Sequence, residues 1–94
     1  MKLRRAARVE TRIEIDARIP ASSVAVTVLD ISTTGCSIQT DSTLARVGGT
    51  IFLKLSDHEG VAGQIVSNDE KRYGVEFYKP VSEETIDWIA AKNK

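Results

Sequence analysis

Two short patterns in the first half of the chain combine residue types that can hold a phosphorylated purine. Residues 4–8 read RRAAR, and residues 30–35 read DISTTG. The Arg guanidinium presents a planar fork of donors that grips phosphate or bonds the O6/N7 edge of guanine. The Asp carboxylate accepts hydrogen bonds, so it suits the N1–H and N2–H₂ donors of guanine. Together these groups suit a guanine nucleotide that carries more than one phosphate.

Two small residues of the second pattern complete the candidate site. Ser32 adds a small hydroxyl for phosphate or base, and Gly35 removes a side chain where backbone must turn or a ligand must approach closely. The candidate ligand-binding residues are therefore Arg4, Arg5, Arg8, Asp30, Ser32 and Gly35. A simpler interpretation is also open: Asp30 and Ser32 would cap a turn through side-chain to backbone bonds, and Arg8 would form a surface ion pair with Asp30.

The length and charge of the chain limit the classes of protein it can be. Ninety-four residues fit one domain, here predicted to span residues 1–94, and one cysteine cannot form an internal disulfide, which fits a cytoplasmic protein. Residues 1–12 carry five basic groups and one acidic group, whereas the whole chain is neutral. A basic arm over residues 1–8, mobile without ligand, therefore precedes a mildly acidic body. No apolar run approaches a membrane span, so no membrane insertion is expected.

Six short strands and one helix must position the candidate residues. Residues 9–19 alternate between apolar and charged types, which is typical of a half-buried antiparallel strand. The predicted strands are residues 9–19, 23–31, 36–40, 50–55, 61–67 and 72–78. Ser82 is a predicted N-cap for a helix over residues 82–92, whose first turn is acidic. Closing the strands hides their edges, so the sequence predicts an all-β fold with one helix: a six-stranded antiparallel β-barrel over residues 9–78 plus the C-terminal helix.

The first hairpin sets which residues meet. A turn centred on Ala21 places Ile13 opposite Leu29 and brings Arg8 level with Thr34. That register predicts that Asp30 points outward and that the two patterns meet in space. It also turns three valines outward, at positions 24, 26 and 28. We expect a cover for those valines, either the helix or another protein. Trp88 and Tyr78 are expected to cover the seam between the helix and the barrel.

The two patterns resemble those of the PilZ domain family, the bacterial receptor module for cyclic di-GMP. The resemblance covers nearly the whole chain, and residues 73–77, YGVEF, look like the family's last strand. It implies the same barrel and helix, with Arg4 and Arg8 on phosphates and guanine faces and Asp30 and Ser32 on a guanine edge and its surroundings. Gly35 would shape the turn, and Arg5 matches an extra basic residue found in many members.

The resemblance implies a cyclic di-GMP sensor that does no chemistry and has no cofactor. Ligand binding would order the arm, and an unidentified effector protein would respond to the new surface. The alternative is a PilZ-like interaction module that binds no nucleotide, and the outward valines motivate it. A nucleic-acid-binding barrel needs stacking aromatics and a wider basic groove, so nucleic acid is not an expected partner. We also find no catalytic triad, metal cluster or phosphate-cradling glycine loop, so no enzyme is expected.

Overall fold

The computed structural model describes residues 8–56 and 59–92, and they form six strands and one helix. The strands are β1 (Val9–Ile19), β2 (Ser22–Ile31), β3 (Gly35–Gln39), β4 (Thr50–Lys54), β5 (Gly60–Asp69) and β6 (Arg72–Phe77), and the helix is α1 (Glu83–Lys92). The sequence prediction placed all seven elements, with boundaries that differ by one or two residues. No helix among the described residues is long and apolar enough to cross a membrane.

The strands close into an antiparallel barrel in the order β1-β2-β3-β6-β5-β4. Closure leaves no unpaired edge, which removes the template for strand-to-strand aggregation. The barrel interior is mainly aliphatic, and its largest fully buried side chains are Ile31, Ile38, Ile51, Leu53, Ile65, Val26 and Cys36. The predicted six-stranded barrel with a C-terminal helix is therefore confirmed.

The register of the first hairpin differs from the prediction by one residue. Ile19 pairs with Ser22 across a two-residue turn of Pro20 and Ala21, and Ile13 lies opposite Val28 rather than Leu29. The fixed φ of proline suits the first central position of such a turn, and Ala21 takes the positive φ, 72°. The turn is therefore centred between Pro20 and Ala21, which moves β2 by one position.

This shift buries the valines that were expected to face outward. Val26 and Val28 are each 2% exposed, and Val24 packs against the core. The prediction of an outward valine stripe was wrong because a one-residue slip exchanges the two faces of a strand.

Asp30 nevertheless lies on the outer face, because β2 is irregular after Val28. Val28 and Ile31 are both buried and pair with Ile38 and Cys36 on β3. Two residues of β2 lie between the first pair, but only one residue of β3 lies between the second. Two successive residues of β2 are therefore not directed inward. A regular strand would have given Asp30 the inward orientation of Val26 and Val28, so the irregularity brings the carboxylate to the surface.

Helix α1 starts where the sequence predicted. Ser82 accepts a hydrogen bond through its Oγ from the Thr85 N–H at 3.1 Å, as an N-cap does. Ile86 and Ile89 are buried against the barrel. Trp88 lies between the helix and the barrel but is 46% exposed, and Tyr78 is 57% exposed, so these two rings cover the seam less than expected.

Candidate functional site

Asp30 is the centre of the candidate site, and Arg8 is its strongest partner. The Arg8 Nη1 donates to the Asp30 Oδ1 at 2.5 Å, and 17% of the Asp30 side chain is exposed, compared with 53% for Arg8. A carboxylate that has lost much of its water needs donors to offset the lost hydration. The end of the basic arm and the DISTTG segment therefore meet, as the sequence predicted.

Arg72 is a second guanidinium beside Asp30 that the sequence analysis did not include. Its Nη2 lies 3.9 Å from the Asp30 Oδ2, and its side chain is 59% exposed. Arg72 opens β6, which is distant from β2 in sequence but adjacent to β3 in the barrel. The sequence placed Arg72 outward, next to Tyr73 in the alternation of the last strand, but the pairing of β3 with β6 that brings it to Asp30 is visible only in the structure.

The outer surface of the barrel between Asp30 and β6 carries only small side chains. Asp30 pairs with Ser37 on β3, and Ser37 pairs with Gly74 on β6. Both have buried neighbours on either side in their strands, so Ser37 and Gly74 are directed outward. A serine and a glycine leave a shallow floor that begins at the Asp30 carboxylate.

Ser32 lies inside the turn between β2 and β3. It is 2% exposed, and its Oγ accepts a hydrogen bond from the Thr34 N–H at 3.2 Å. The Ser32 N–H also donates to the Gly35 carbonyl at 2.8 Å, and its Oγ lies 3.3 Å from the same oxygen. Ser32 therefore stabilises the turn, as the simpler interpretation of the sequence expected. Its predicted contact with a ligand stays a prediction.

Gly35 is required by the packing of two strands. A Cβ built at Gly35 would lie 2.4 Å from the Val75 carbonyl oxygen, which is backbone and cannot move aside cheaply. The glycine therefore lets β3 and β6 approach closely at the edge of the site. Its predicted place in the ligand site stays a prediction.

Cys36 lies beneath the site in the barrel wall. It is a free, buried thiol. Burial raises its pKa to about 12, with a smaller rise from the negative charge of Asp30 and an opposing effect of Arg8. A thiol that stays protonated is a poor nucleophile, so Cys36 is a core residue, as expected.

The other two predicted basic residues, Arg4 and Arg5, lie outside the described residues. Among the described residues, the site can offer two guanidinium groups and one carboxylate around a shallow polar floor. A larger groove of about 690 Å³ lies elsewhere, between β1, β4 and α1, with Trp88 in its wall. We place the candidate site at Asp30 despite the size of that groove, because four carboxylates against two lysines give the groove a net negative charge, which does not suit phosphate.

Comparison with known proteins identifies a family and a shared fold. The family model of the PilZ domain matches residues 2–92. A crystal structure of an uncharacterized Legionella protein superposes with a TM-score of 0.55 at 17% identity, covering 92% of this chain and 89% of that chain, which shows a shared fold. A search of curated proteins gave no match.

Proposed function

Because the chain belongs to the PilZ domain family, whose members are cyclic di-GMP receptors and binding modules rather than enzymes, we propose that it is a cyclic di-GMP-responsive adaptor. Ligand binding orders the N-terminal arm, and a partner protein responds to the bound form. The observation that carries this proposal is the Arg8–Asp30 pair, which joins the two sequence patterns at one place on the barrel.

Binding would proceed by an exchange of partners at Asp30. The N1–H and N2–H₂ donors of a guanine replace the Arg8 guanidinium on the carboxylate, so Asp30 remains hydrogen-bonded throughout. Arg8 is then free to bond a phosphate or stack on a base. Arg4 and Arg5 add positive charge to the same arm, which attracts a ligand with two phosphates.

The turn that carries Ser32 also connects the site to the helix. The Thr34 carbonyl accepts from the Phe77 N–H at 2.9 Å, and the Thr33 carbonyl accepts from the Val81 N–H at the same distance. Val81 lies two residues before α1. A small shift of the turn on ligand binding would therefore reach the start of α1, and a partner in contact with this helix would distinguish the two states.

Calorimetry with cyclic di-GMP tests the binding part of the proposal. We expect heat with the wild type at micromolar concentrations and a large loss of affinity in Arg8→Ala. Arg18→Ala is the matched control, because Arg18 is an exposed arginine near the opposite end of β1 and the substitution changes the net charge equally. No heat with the wild type contradicts the proposal.

The adaptor part is tested by NMR on the same samples. The indole N–H of Trp88 on α1 should shift on saturation with ligand, together with the amides of residues 30–35. Arg8→Ala at the same ligand concentration should show neither change. A saturated site that leaves the whole of α1 unchanged would contradict transmission through the turn.

The alternative, an interaction module that binds no nucleotide, has lost its motivating observation. It rested on valines of β2 facing outward, and the structure buries Val26 and Val28 in the barrel. The two patterns meet at Asp30 instead, and this favours the nucleotide-binding function.

A further inference from the structure

We propose that Arg72 binds the O6/N7 edge of the guanine whose N1/N2 edge is held by Asp30, and that Arg72 thereby sets the preference for guanine over adenine. The inference rests on the proposed cyclic di-GMP function and assigns a role to a residue outside both sequence patterns.

The first argument is the position of Arg72 relative to the two carboxylate oxygens of Asp30. Arg8 occupies Oδ1 at 2.5 Å, whereas Arg72 approaches Oδ2 only to 3.9 Å. At 3.9 Å Arg72 is attracted to the carboxylate without a short hydrogen bond holding it there. Its donors are therefore available to a ligand at little cost, and they already lie beside the group predicted to hold guanine.

The second argument is the order of polar atoms on the guanine ring. The acceptor O6 is adjacent to the donor N1–H, so a carboxylate on N1–H and N2–H₂ and a guanidinium on O6 and N7 lie side by side in the plane of the base. The neighbouring Asp30 and Arg72 reproduce this order of acceptor and donor. Adenine has an N6 amino donor where guanine has O6, and that donor would face the donors of Arg72.

The third argument is the small size of the outward side chains between β2 and β6. Arg72 and Gly74 lie on the same outward face of β6, and Gly74 adjoins Ser37, which adjoins Asp30. No bulky side chain stands in this row between the carboxylate and β6. These small residues leave room over the barrel wall for a planar base whose neighbouring edges face Asp30 and Arg72.

The first experiment compares calorimetric affinities for cyclic di-GMP. Arg72→Ala should weaken binding by about 5- to 150-fold, the range for a bidentate arginine–guanine contact. Arg72→Lys should recover only part of this loss, because lysine lacks the planar fork. Arg18→Ala should bind as the wild type does. Since Arg72 is exposed, its variants should keep the wild-type circular dichroism spectrum and melting temperature.

The second experiment identifies the atoms, with the analogue of cyclic di-GMP in which carbon replaces N7. The wild type should bind this analogue more weakly than cyclic di-GMP, whereas Arg72→Ala should bind the two ligands alike. Cyclic di-AMP measured beside them should gain affinity, relative to cyclic di-GMP, in Arg72→Ala.

The outcomes separate this inference from the proposed function. A wild type that does not bind cyclic di-GMP overturns both. A wild type that binds, with Arg72→Ala equal to it, overturns the role of Arg72 alone. An Arg72→Ala protein that is weakened but still loses affinity for the carbon analogue would move Arg72 to a phosphate and overturn the base contact.

Discussion

Two aspartates that flank β3 in the sequence, Asp30 and Asp41, each form an ion pair, and the two pairs differ in their exposure to solvent. Asp30 lies beside β3 with 17% of its side chain exposed and two arginines nearby. Asp41 follows β3 with 85% of its side chain exposed, and its partner is Lys71 at 2.8 Å. By distance alone the two pairs look alike.

Burial separates the two pairs. Water can replace Lys71 at Asp41, so the pair contributes little to stability and constrains neither residue. Asp30 has lost much of its water, so removing its donors leaves a partly buried charge that must find others. A ligand with the right donors can therefore compete for Asp30, whereas nothing at Asp41 favours a ligand over water.

The largest expected difference concerns ligand affinity. Asp30→Asn replaces two acceptor oxygens by one acceptor and one donor, which would face a donor of guanine. We expect it to weaken cyclic di-GMP binding at least about 30-fold, because a contact to a charged group and the penalty of an unpaired donor are both at stake. Asp41→Asn should bind as the wild type does in the same calorimetric assay. Equal losses in the two variants would remove the distinction between the pairs.

A second difference concerns stability at the two ends of β3. Gly35→Ala places a methyl group 2.4 Å from the Val75 carbonyl oxygen and should lower the free energy of unfolding by about 1–3 kcal/mol. Gln39→Ala, at the exposed end of the strand towards Asp41, is the control and should cost less than about 0.5 kcal/mol. Urea unfolding measures both, and a Gly35→Ala protein as stable as the control would show that the strands can separate freely.

A third test uses Cys36 to sense the charge of Asp30. The pKa of Cys36 is raised from 9.0 to about 12 in the folded protein, so the unfolded chain releases the thiol proton first as the pH rises. The contribution of Cys36 is therefore complete below pH 9 and falls by about 1.4 kcal/mol per pH unit above it. The difference in unfolding free energy between wild type and Cys36→Ala, measured from pH 8 to about 12, isolates this contribution.

The same pH series distinguishes the two aspartates. In Asp30→Asn one of the causes that raise the Cys36 pKa in the folded protein is absent, so the fall that begins near pH 9 should end at a lower pH than in the wild type. Asp41→Asn should leave the series unchanged. A shift caused by Asp41→Asn would mean that the exposed pair influences the core as well.

The smallest effect is expected at the exposed pair itself. The hydrogen bond and the charge of Asp41 raise the pKa of Lys71, but the ammonium group is fully exposed. Lys71→Ala should therefore leave the thermal midpoint and the affinity for cyclic di-GMP unchanged. A clear drop in the midpoint would show that this pair carries more of the fold than its exposure indicates.

The strands and the helix could be predicted from the sequence because each follows a local rule. The alternation of apolar and charged residues in β1 and the N-cap at Ser82 can each be recognised from residues that are close in sequence. The faces of β2 could not be predicted in the same way. Val26 and Val28 were wrongly placed outward because the turn is centred between Pro20 and Ala21 and not on Ala21. Asp30 was correctly placed outward only because the irregularity after Val28 reverses the alternation a second time.

The candidate site also contains residues that the sequence predicted and one residue that it did not. Arg8 and Asp30 belong to patterns that are visible in the sequence, and their meeting required only a hairpin. Arg72 reaches the site through the pairing of β3 with β6, which joins segments more than thirty residues apart. No local signal encodes such a neighbour, so the sequence analysis omitted it.

The extra step in β2 between Val28 and Ile31 has a consequence for how domains of this shape can vary in length. Loss of Leu29 would match β2 to the two steps of β3 and leave Asp30 facing outward, while the extra residue of β1 between Glu10 and Ile13 would become two. Natural variants one residue shorter here should therefore retain the carboxylate at the same place on the wall. A sequence comparison that requires a fixed number of residues between the patterns at residues 4–8 and 30–35 would classify such variants as different, although the carboxylate lies at the same place on their surfaces.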